Sequence, residues 1–503
     1  MKKLFLFAVL AISSSTFSQD WPVKKIVTDK IARGATFSTF AAFTFSRDKV
    51  LAGRGNYQEL RLNPAFSKQL LEQRPEAIKL IFPISATETM VCQLVKFDLG
   101  NMRFTENNST DVENVTIPVT YRGIVSGVQQ RNNVMFTVNE DYLSLTATFT
   151  NGAIQITKAD ETDQSIYRLY NSKTVQFPVV PFECGTKDLP ASPQMKALQT
   201  SAPMQRPSLS QDKCVNIFVD CFDSLYQWRG SNTQQTINYV YELFNHVSTA
   251  FVNEQVNIQI TTINVWTTAD PFRGNNRDSA LFDLAATYKD SFWGNIGVGL
   301  DYSINQTSSR SGLAGDIGRV KGVAPNTCPV YTPKKHQFCY NDLDYNVSVQ
   351  NFPTGPSTTG PQVYLVTHEI GHLLGARHTK WCGWKLNTNP VSYGALDSCG
   401  GMEAINGTTP VCAPGPPPPA SGATMMSYCV TGNDPAQFTN FNNGFGTLPG
   451  DTLRIFVDKT ACIPNCVNCT GLLNRRNSNK SYALYRQQPA NIIRWPIKVP
   501  ATP

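Results

Sequence analysis

Apolar and polar positions along this chain recur in two rhythms. In the first part the period is two: Val134-Met135-Phe136-Thr137-Val138 and Leu143 to Phe149 alternate in part, and Asn151-Gly152 ahead of Ala153-Ile154-Gln155-Ile156 is a hairpin turn signal. Residues 20 to about 205 are therefore predicted to be β-rich. Further on, Cys214 to Cys221 reads as a strand, and Ile237, Val240, Phe244, Val247 and Phe251 follow at steps of three and four, which predicts an amphipathic helix. Asn253 to Gln255 break the pattern, and Val256, Ile258 and Ile260 open another strand running toward Trp266. Strand, helix, strand predicts a right-handed crossover between parallel strands. A second helix is expected near Asp278 to Tyr288, and the alternation as a whole predicts an α/β (α+β) domain.

Between these stretches the composition changes. Pro190 to Pro207 is rich in Pro, Ser, Gln and Ala, with Lys187 just before it and Lys196 inside it, and suits a linker open to trypsin-like cutting. Beyond residue 378 the chain turns irregular and cysteine-rich, with Cys382, Cys399, Cys412 and Cys429 and the run Pro416 to Pro419; such a loop needs disulfide staples, whose pairing one sequence does not give. Cys466-Val467-Asn468-Cys469 has no second C-x-x-C, so a structural bridge is expected there rather than redox or metal chemistry. Residues 471–503 read as a polar, basic tail.

Met1 to Ser18 has the layout of a secretory signal: Lys2 and Lys3, an apolar run from Leu4 to Ile12, then small residues. That run is too short to span a bilayer, and no other stretch reaches transmembrane length, so an exported chain without a membrane span is expected. Thirteen cysteines agree with an oxidising compartment; the odd number leaves one thiol over or requires an intermolecular bridge. At 503 residues, 41% hydrophobic and 16% charged, the chain is long enough for about three folded units. The net charge of +7 is spread without a basic block, which argues against nucleic acid as a partner.

The chemistry concentrates in Thr367-His368-Glu369-Ile370-Gly371-His372-Leu373-Leu374-Gly375-Ala376-Arg377-His378. On a helix His368 and His372 project from one face and can hold one cation. A catalytic zinc needs a third protein ligand and an open position. His378 fits only if the chain bends back, which Gly375 permits because glycine reaches left-handed backbone angles without steric cost. Glu369 is then displaced from the ligand set but close enough to take a proton from water activated by the metal. The chain has five histidines and three fall on this pattern; His246 and His336 stand apart and are expected to be structural or surface residues.

H-E-x-x-H-x-x-G-x-x-H followed by a methionine turn resembles the metzincin zinc endopeptidases. The turn is matched by Thr424-Met425-Met426-Ser427-Tyr428-Cys429, with Met426 as the residue that forms a hydrophobic floor in the family. Over roughly residues 212–462 the chain is most similar to bacterial reprolysin-like secreted proteases. It departs from them at Thr379, where they usually carry Asp, and at Tyr428, placed as in astacins and serralysins, where such a tyrosine is a fifth ligand or oxyanion donor. The resemblance implies a metzincin-like catalytic domain with a twisted mixed sheet and an active-site helix, preceded by a β-rich propeptide: signal 1–18, propeptide 19–205, catalytic domain 206–470, tail 471–503. It also implies a substrate-binding edge strand at Gly322, Val323 and Ala324, and a bridge from Cys328 to a cysteine near Cys462. Cys184-Gly185 is similar to the propeptide Cys-Gly whose thiolate fills the open zinc position in related zymogens; a Cys92–Cys184 disulfide is the alternative, and both stay open here.

The resulting expectation is a secreted, monomeric zinc endopeptidase made as a zymogen, acting on proteins or peptides with one catalytic Zn2+ and Glu369 as general base. No pattern indicates Ca2+. The alternative from another class is a non-catalytic adhesin or binding module on a metzincin scaffold, although such scaffolds typically lose a ligand histidine or the glutamate, and neither is missing.

Overall fold

Ten strands of the first part build one sheet and seven strands build a second, and the chemistry sits against the second. The computed structural model describes residues 21–51, 55–150, 152–158, 163, 165–171, 184–186, 213–272, 276–302, 312–325, 328, 337–343, 361–388, 390–405, 411–429 and 439–466. The signal stretch, the linker 190–207, His336 and the tail 471–503 lie outside them. The chain up to Pro464 forms one unit and Asn465–Pro503 another.

The first part opens with helix α1 (Pro22–Ala32), followed by β1 (Ser38–Ala41), β2 (Phe43–Leu51), β3 (Gly55–Leu62), α2 (Phe66–Gln73), β4 (Ala77–Pro83) and β5 (Thr89–Phe97). Then come β6 (Arg103–Glu106), β7 (Thr110–Asp111), β8 (Val119–Val125), β9 (Asn133–Val138), β10 (Leu143–Phe149), β11 (Gly152–Lys158) and β12 (Ile166–Asn171). The first sheet runs β1-β4-β5-β8-β9-β10-β11-β12-β3-β2. Its end strands β1 and β2 are separated only by Ala42, whose N–H donates to Ile81 and whose carbonyl accepts from Asn63, so the sheet curls round on itself. Leu80, Leu94, Phe136, Leu145 and Ile156 fill its apolar side. The turn signal at residues 151–152 is realised: Phe149 pairs with Gly152 across antiparallel β10 and β11.

The second part comprises β13 (Cys214–Cys221), α3 (Asp223–Trp228), α4 (Thr233–Asn253), β14 (Asn257–Val265), α5 (Arg277–Tyr288), β15 (Ile296–Asp301), β16 (Gly312–Ala314) and β17 (Phe338–Asp342). It continues through α6 (Pro361–Leu373), the hairpin β18 (Trp384–Thr388) and β19 (Val391–Gly394), and α7 (Thr447–Lys459). The side chain of Asn232 caps α4, and Glu254 closes it where the apolar period stops. β13 and β14 pair in parallel across this helix, as the crossover requires. Ile237, Val240, Phe244, Val247 and Phe251 pack with the strand residues Ile217, Val219, Ile260 and Ile263 and with Leu365 and Ile370 of α6. α5 covers the other face through Leu281, Leu284 and Tyr288.

Two features depart from the expected layout. The sheet order is β16-β17-β15-β13-β14-β6-β7, so two strands from the β-rich first part join the second sheet: Arg103–Glu106 of β6 pairs in parallel with Thr262–Val265, and β7 pairs with β6. The sequence-based boundary at 205/206 therefore does not divide the sheets, because Asn264 offers hydrogen-bonding partners to residues lying far upstream. The expected edge strand at Gly322, Val323 and Ala324 is a bend instead. The Lys321 ammonium donates to the carbonyls of Gly322 (2.9 Å) and Ala324 (3.2 Å), and Val323 accepts from Gly294 N–H, so these carbonyls are consumed away from the sheet edge. The edge strand is β16, antiparallel to β17.

Disulfides join Cys328 to Cys462, Cys382 to Cys412 and Cys399 to Cys429. Such bridges are typical of extracellular proteins. Among the described residues no helix is long and apolar enough to cross a membrane. Cys92 and Cys184 are both free and buried, so the bridge between them does not form: Cys92 lies in the core of the first sheet, and Cys184 lies among the three histidines.

Candidate metal centre

Helix α6 is held by Leu365, Val366, Ile370 and Leu373, all buried, and it carries His368, Glu369 and His372, buried likewise. It ends where expected: Gly375 adopts φ 100°, the Gly375 N–H donates to His372, and the chain turns back to deliver His378. The three Nε2 atoms then form a triangle with sides of 3.2, 3.0 and 3.2 Å.

Each ring is fixed from behind. His368 Nδ1 lies 2.7 Å from the Met425 carbonyl, His372 Nδ1 2.8 Å from the Ala376 carbonyl and His378 Nδ1 2.7 Å from Glu403 Oε1. Carbonyl and carboxylate oxygens only accept, so each Nδ1 must carry the hydrogen and each Nε2 presents a lone pair. Burial, reinforced by the neighbouring imidazoles, pulls His368 and His372 well below the ordinary imidazole value. Burial also lowers His378, against the pull of Glu403. Three neutral nitrogens thus point lone pairs at one another in a site without water contact, an arrangement that repels itself unless a cation lies between them. Zinc bound by nitrogens at about 2.0–2.1 Å in a tetrahedron has ligand-to-ligand edges of about 3.3–3.4 Å, and the observed triangle is only slightly tighter. The residues fit the ion.

Beside the three imidazoles lies Cys184. Its Sγ lies 3.6 Å from His372 Nε2, and the thiol and the three imidazoles have their ligand atoms within 4.8 Å of one another. The segment around it lies along the sheet edge: Cys184 bridges Gly312 in parallel, and Gly185 N–H donates to the Gly312 carbonyl at 2.8 Å. Glu369 Oε2 lies 3.3 Å from Thr186 Oγ1. Burial pushes the Glu369 carboxyl up to about 8, although contacts with Cys184 and Thr186 oppose this; a divalent ion beside it would pull it back toward the carboxylate. A Cβ at Gly312 would stand 2.3 Å from Glu369 Oε1, so this strand approaches the acid only because it carries no side chain there.

Met426 is fully buried, its sulfur against Gly371 of α6, and its carbonyl accepts from Thr379 N–H. The ring of Tyr428 lies 4.8 Å from that of His378, and its hydroxyl donates to the Cys184 carbonyl at 3.0 Å. Burial pushes this phenol far up, so it remains a donor. His246, away from the centre, is a buried structural residue bonded to the Glu242 carbonyl.

Sequence reasoning missed Glu403. No motif marks it; it arrives through the loop after His378, where Cys382 N–H donates to the Glu403 carbonyl and Glu403 N–H to that of Lys380. Burial alone would raise this carboxyl, but His378 and Lys380, the latter 3.4 Å away, outweigh it and hold Glu403 below the usual carboxylate range. The Lys380 ammonium also stands 3.3 Å over the Tyr428 ring.

Residues 211–442 match the family model "Reprolysin_5: Metallo-peptidase family M12". That match supports a metalloprotease family. The matched segment contains all three histidines, Glu369, Glu403, β16 and the methionine turn, while Cys184 lies ahead of it. M12 peptidases are zinc-dependent, in keeping with the donor set. No curated protein matches the chain. Among solved structures it is similar to one described as "Structure of a chaperone-substrate complex", at 10% identity and a TM-score of 0.23, over 46% of this chain and 28% of that one. This chain thus spans under a third of that structure's length, and so loose a superposition carries no argument.

Proposed function

We propose that the chain is a secreted zinc endopeptidase made as a zymogen, with the first part as propeptide and the cut falling in the linker Pro190 to Pro207, with Lys187 just before it and Lys196 inside it as candidate sites. The observation that carries this reading is the convergence of three Nε2 lone pairs beside a buried carboxylate, at a sheet edge already lined by a peptide segment. His368, His372 and His378 would hold the metal, which would supply Lewis acidity toward a carbonyl and a lowered pKa, roughly 7, for a bound water.

The chain's own residues do the rest. β16 offers backbone groups to an extended peptide, so binding rests on main-chain hydrogen bonds and tolerates many sequences. Glu369 takes a proton from the attacking water on a carboxylate oxygen and returns it to the leaving nitrogen; glutamine there would keep the shape but accept no proton. Tyr428 donates its hydroxyl hydrogen to a peptide carbonyl, as it does to that of Cys184, and so steadies charge that develops on that oxygen. Cys184 acts as the switch: while its segment occupies the edge, neither water nor substrate has room.

The reading is tested by expressing the full chain, measuring bound zinc after processing, and assaying unfolded casein with and without a chelator. Metal-free protein, or cleavage that survives Glu369→Gln, overturns it.

A further inference from the structure

The segment that covers the edge of β16 alternates as a strand does. Cys184 Sγ points to His372 and Thr186 Oγ1 to Glu369, both on α6, so the residue between them faces the other way, toward α5. That residue is Gly185. A Cβ there would stand 2.7 Å from Arg277 Nε, 3.1 Å from Arg277 Cζ and 2.9 Å from Leu313 Cδ1. Gly185 does not take a positive φ, so its backbone would accept any residue, and space alone calls for glycine. Leu313 is the middle residue of β16 and packs with Leu281 and Leu284 of α5. Arg277 opens α5, where Asn276 and Ser279 cap each other, so the backbone behind the guanidinium is fixed while the long side chain can shift.

An extended peptide lying on this edge, in either direction, alternates in the same way: every second side chain turns to the histidines, and those between turn to α5. At the level of Gly185 such a side chain meets a guanidinium and an apolar wall. A short acid suits both, with its methylenes against Leu313 and its carboxylate on the guanidinium fork, whose planar donors match two carboxylate oxygens. Lysine or arginine would meet like charge. A neutral side chain would fill the space with a weaker bond. We propose that Arg277 and Leu313 form a specificity-determining subsite, on the α5 side of the edge strand, that takes an aspartate or glutamate side chain of the substrate peptide. The proposal rests on the peptidase reading. Glycine in the covering segment brings no side chain to this subsite, so the chain's own segment lies across the edge without making the contact that selects a substrate.

Two measurements test it. In the uncut chain carrying Glu369→Gln, Gly185→Asp is compared with Gly185→Asn, which has the same size and no charge. Gly185→Asp is expected to melt at the higher temperature at pH 7, and the difference should vanish when Arg277→Ala is added. In the chain with Glu369 intact and cut in the linker, peptides carrying Asp, Asn or Lys at one position after another are assayed. At a single position kcat/KM should be at least about tenfold higher for Asp than for Asn, the scale of a hydrogen bond between charged groups. Arg277→Ala should remove that preference, and Arg277→Glu should turn it toward Lys. This second measurement alters no residue of the covering segment, so it decides even where the variants at residue 185 fail to fold. Equal melting of the Asp and Asn variants, cleavage indifferent to Asp at every position, or an acidic preference that survives Arg277→Ala overturns the proposal. Failure of the peptidase reading looks different: no peptide is cut, while the Asp and Asn variants at residue 185 still show whether Arg277 receives a carboxylate.

Discussion

The Cys184 thiol and the His372 imidazole stand 3.6 Å apart although 188 residues separate them in the chain. On the proposed reading, contact between a side chain of the first part and a metal ligand of the second would make the uncut chain its own inhibitor. Cys184→Ser is expected to give proteolysis without processing, because a hydroxyl binds zinc far less well than a thiolate. Casein turnover by the uncut variant checks this; activity no higher than that of the uncut parent removes the thiol from regulation.

Glu369→Gln is expected to retain zinc and to lower kcat by roughly 10²–10⁴-fold, the range for removal of a general base. Metal analysis and peptide turnover on the same preparation separate this from loss of the ion.

Glu403 fixes the hydrogen of His378 on Nδ1. Glu403→Ala is expected to weaken zinc retention by about 10–100-fold, as for other carboxylates behind a ligating imidazole. Competition with a chelator reads this directly. Glu403→Gln, which still accepts a hydrogen bond, should fall between the variant and the parent.

Gly312→Ala should reduce activity while leaving the fold in place, since the added methyl must displace the Glu369 carboxylate. A variant with unchanged kcat/KM and unchanged thermal stability would show that the strand yields instead.

His246 gives acid a handle on stability. Burial lowers its folded value from 6.5 to about 4, so the neutral form belongs to the folded state. The unfolded chain takes up a proton first as pH falls, so the contribution is intact above about 6.5 and is lost progressively toward 4. Melting temperatures of the Glu369→Gln chain between these values, with and without His246→Asn, should show a shallower acid slope in the double variant.

Much of this was legible in the sequence, for reasons that can be assigned. Ile237 to Phe251 marked α4 because one face must be apolar, and Gly375 marked the bend because a helix continuing past Leu373 would carry His378 away. The burial of Asn238, Asn245 and Asn253 was not legible, since a polar stripe reads the same whether water or a hydrogen-bonding partner covers it. The edge strand lies at Gly312 to Ala314, ten residues before the Gly322 to Ala324 that the family resemblance implies: three residues are too few to show a period, and only proximity to Glu369 distinguishes them. Glu403 carries no local signal, because its role comes from a loop closure 25 residues after His378.

That closure is sealed by the Cys382–Cys412 bridge, which pins the loop between His378 and Glu403. On the proposed reading, a nascent chain whose thiols are still reduced would lack that clasp, and the buttress of its third imidazole would be held by backbone hydrogen bonds alone. If the chain is exported as proposed, oxidation would then complete the metal site only outside the compartment where the chain is made.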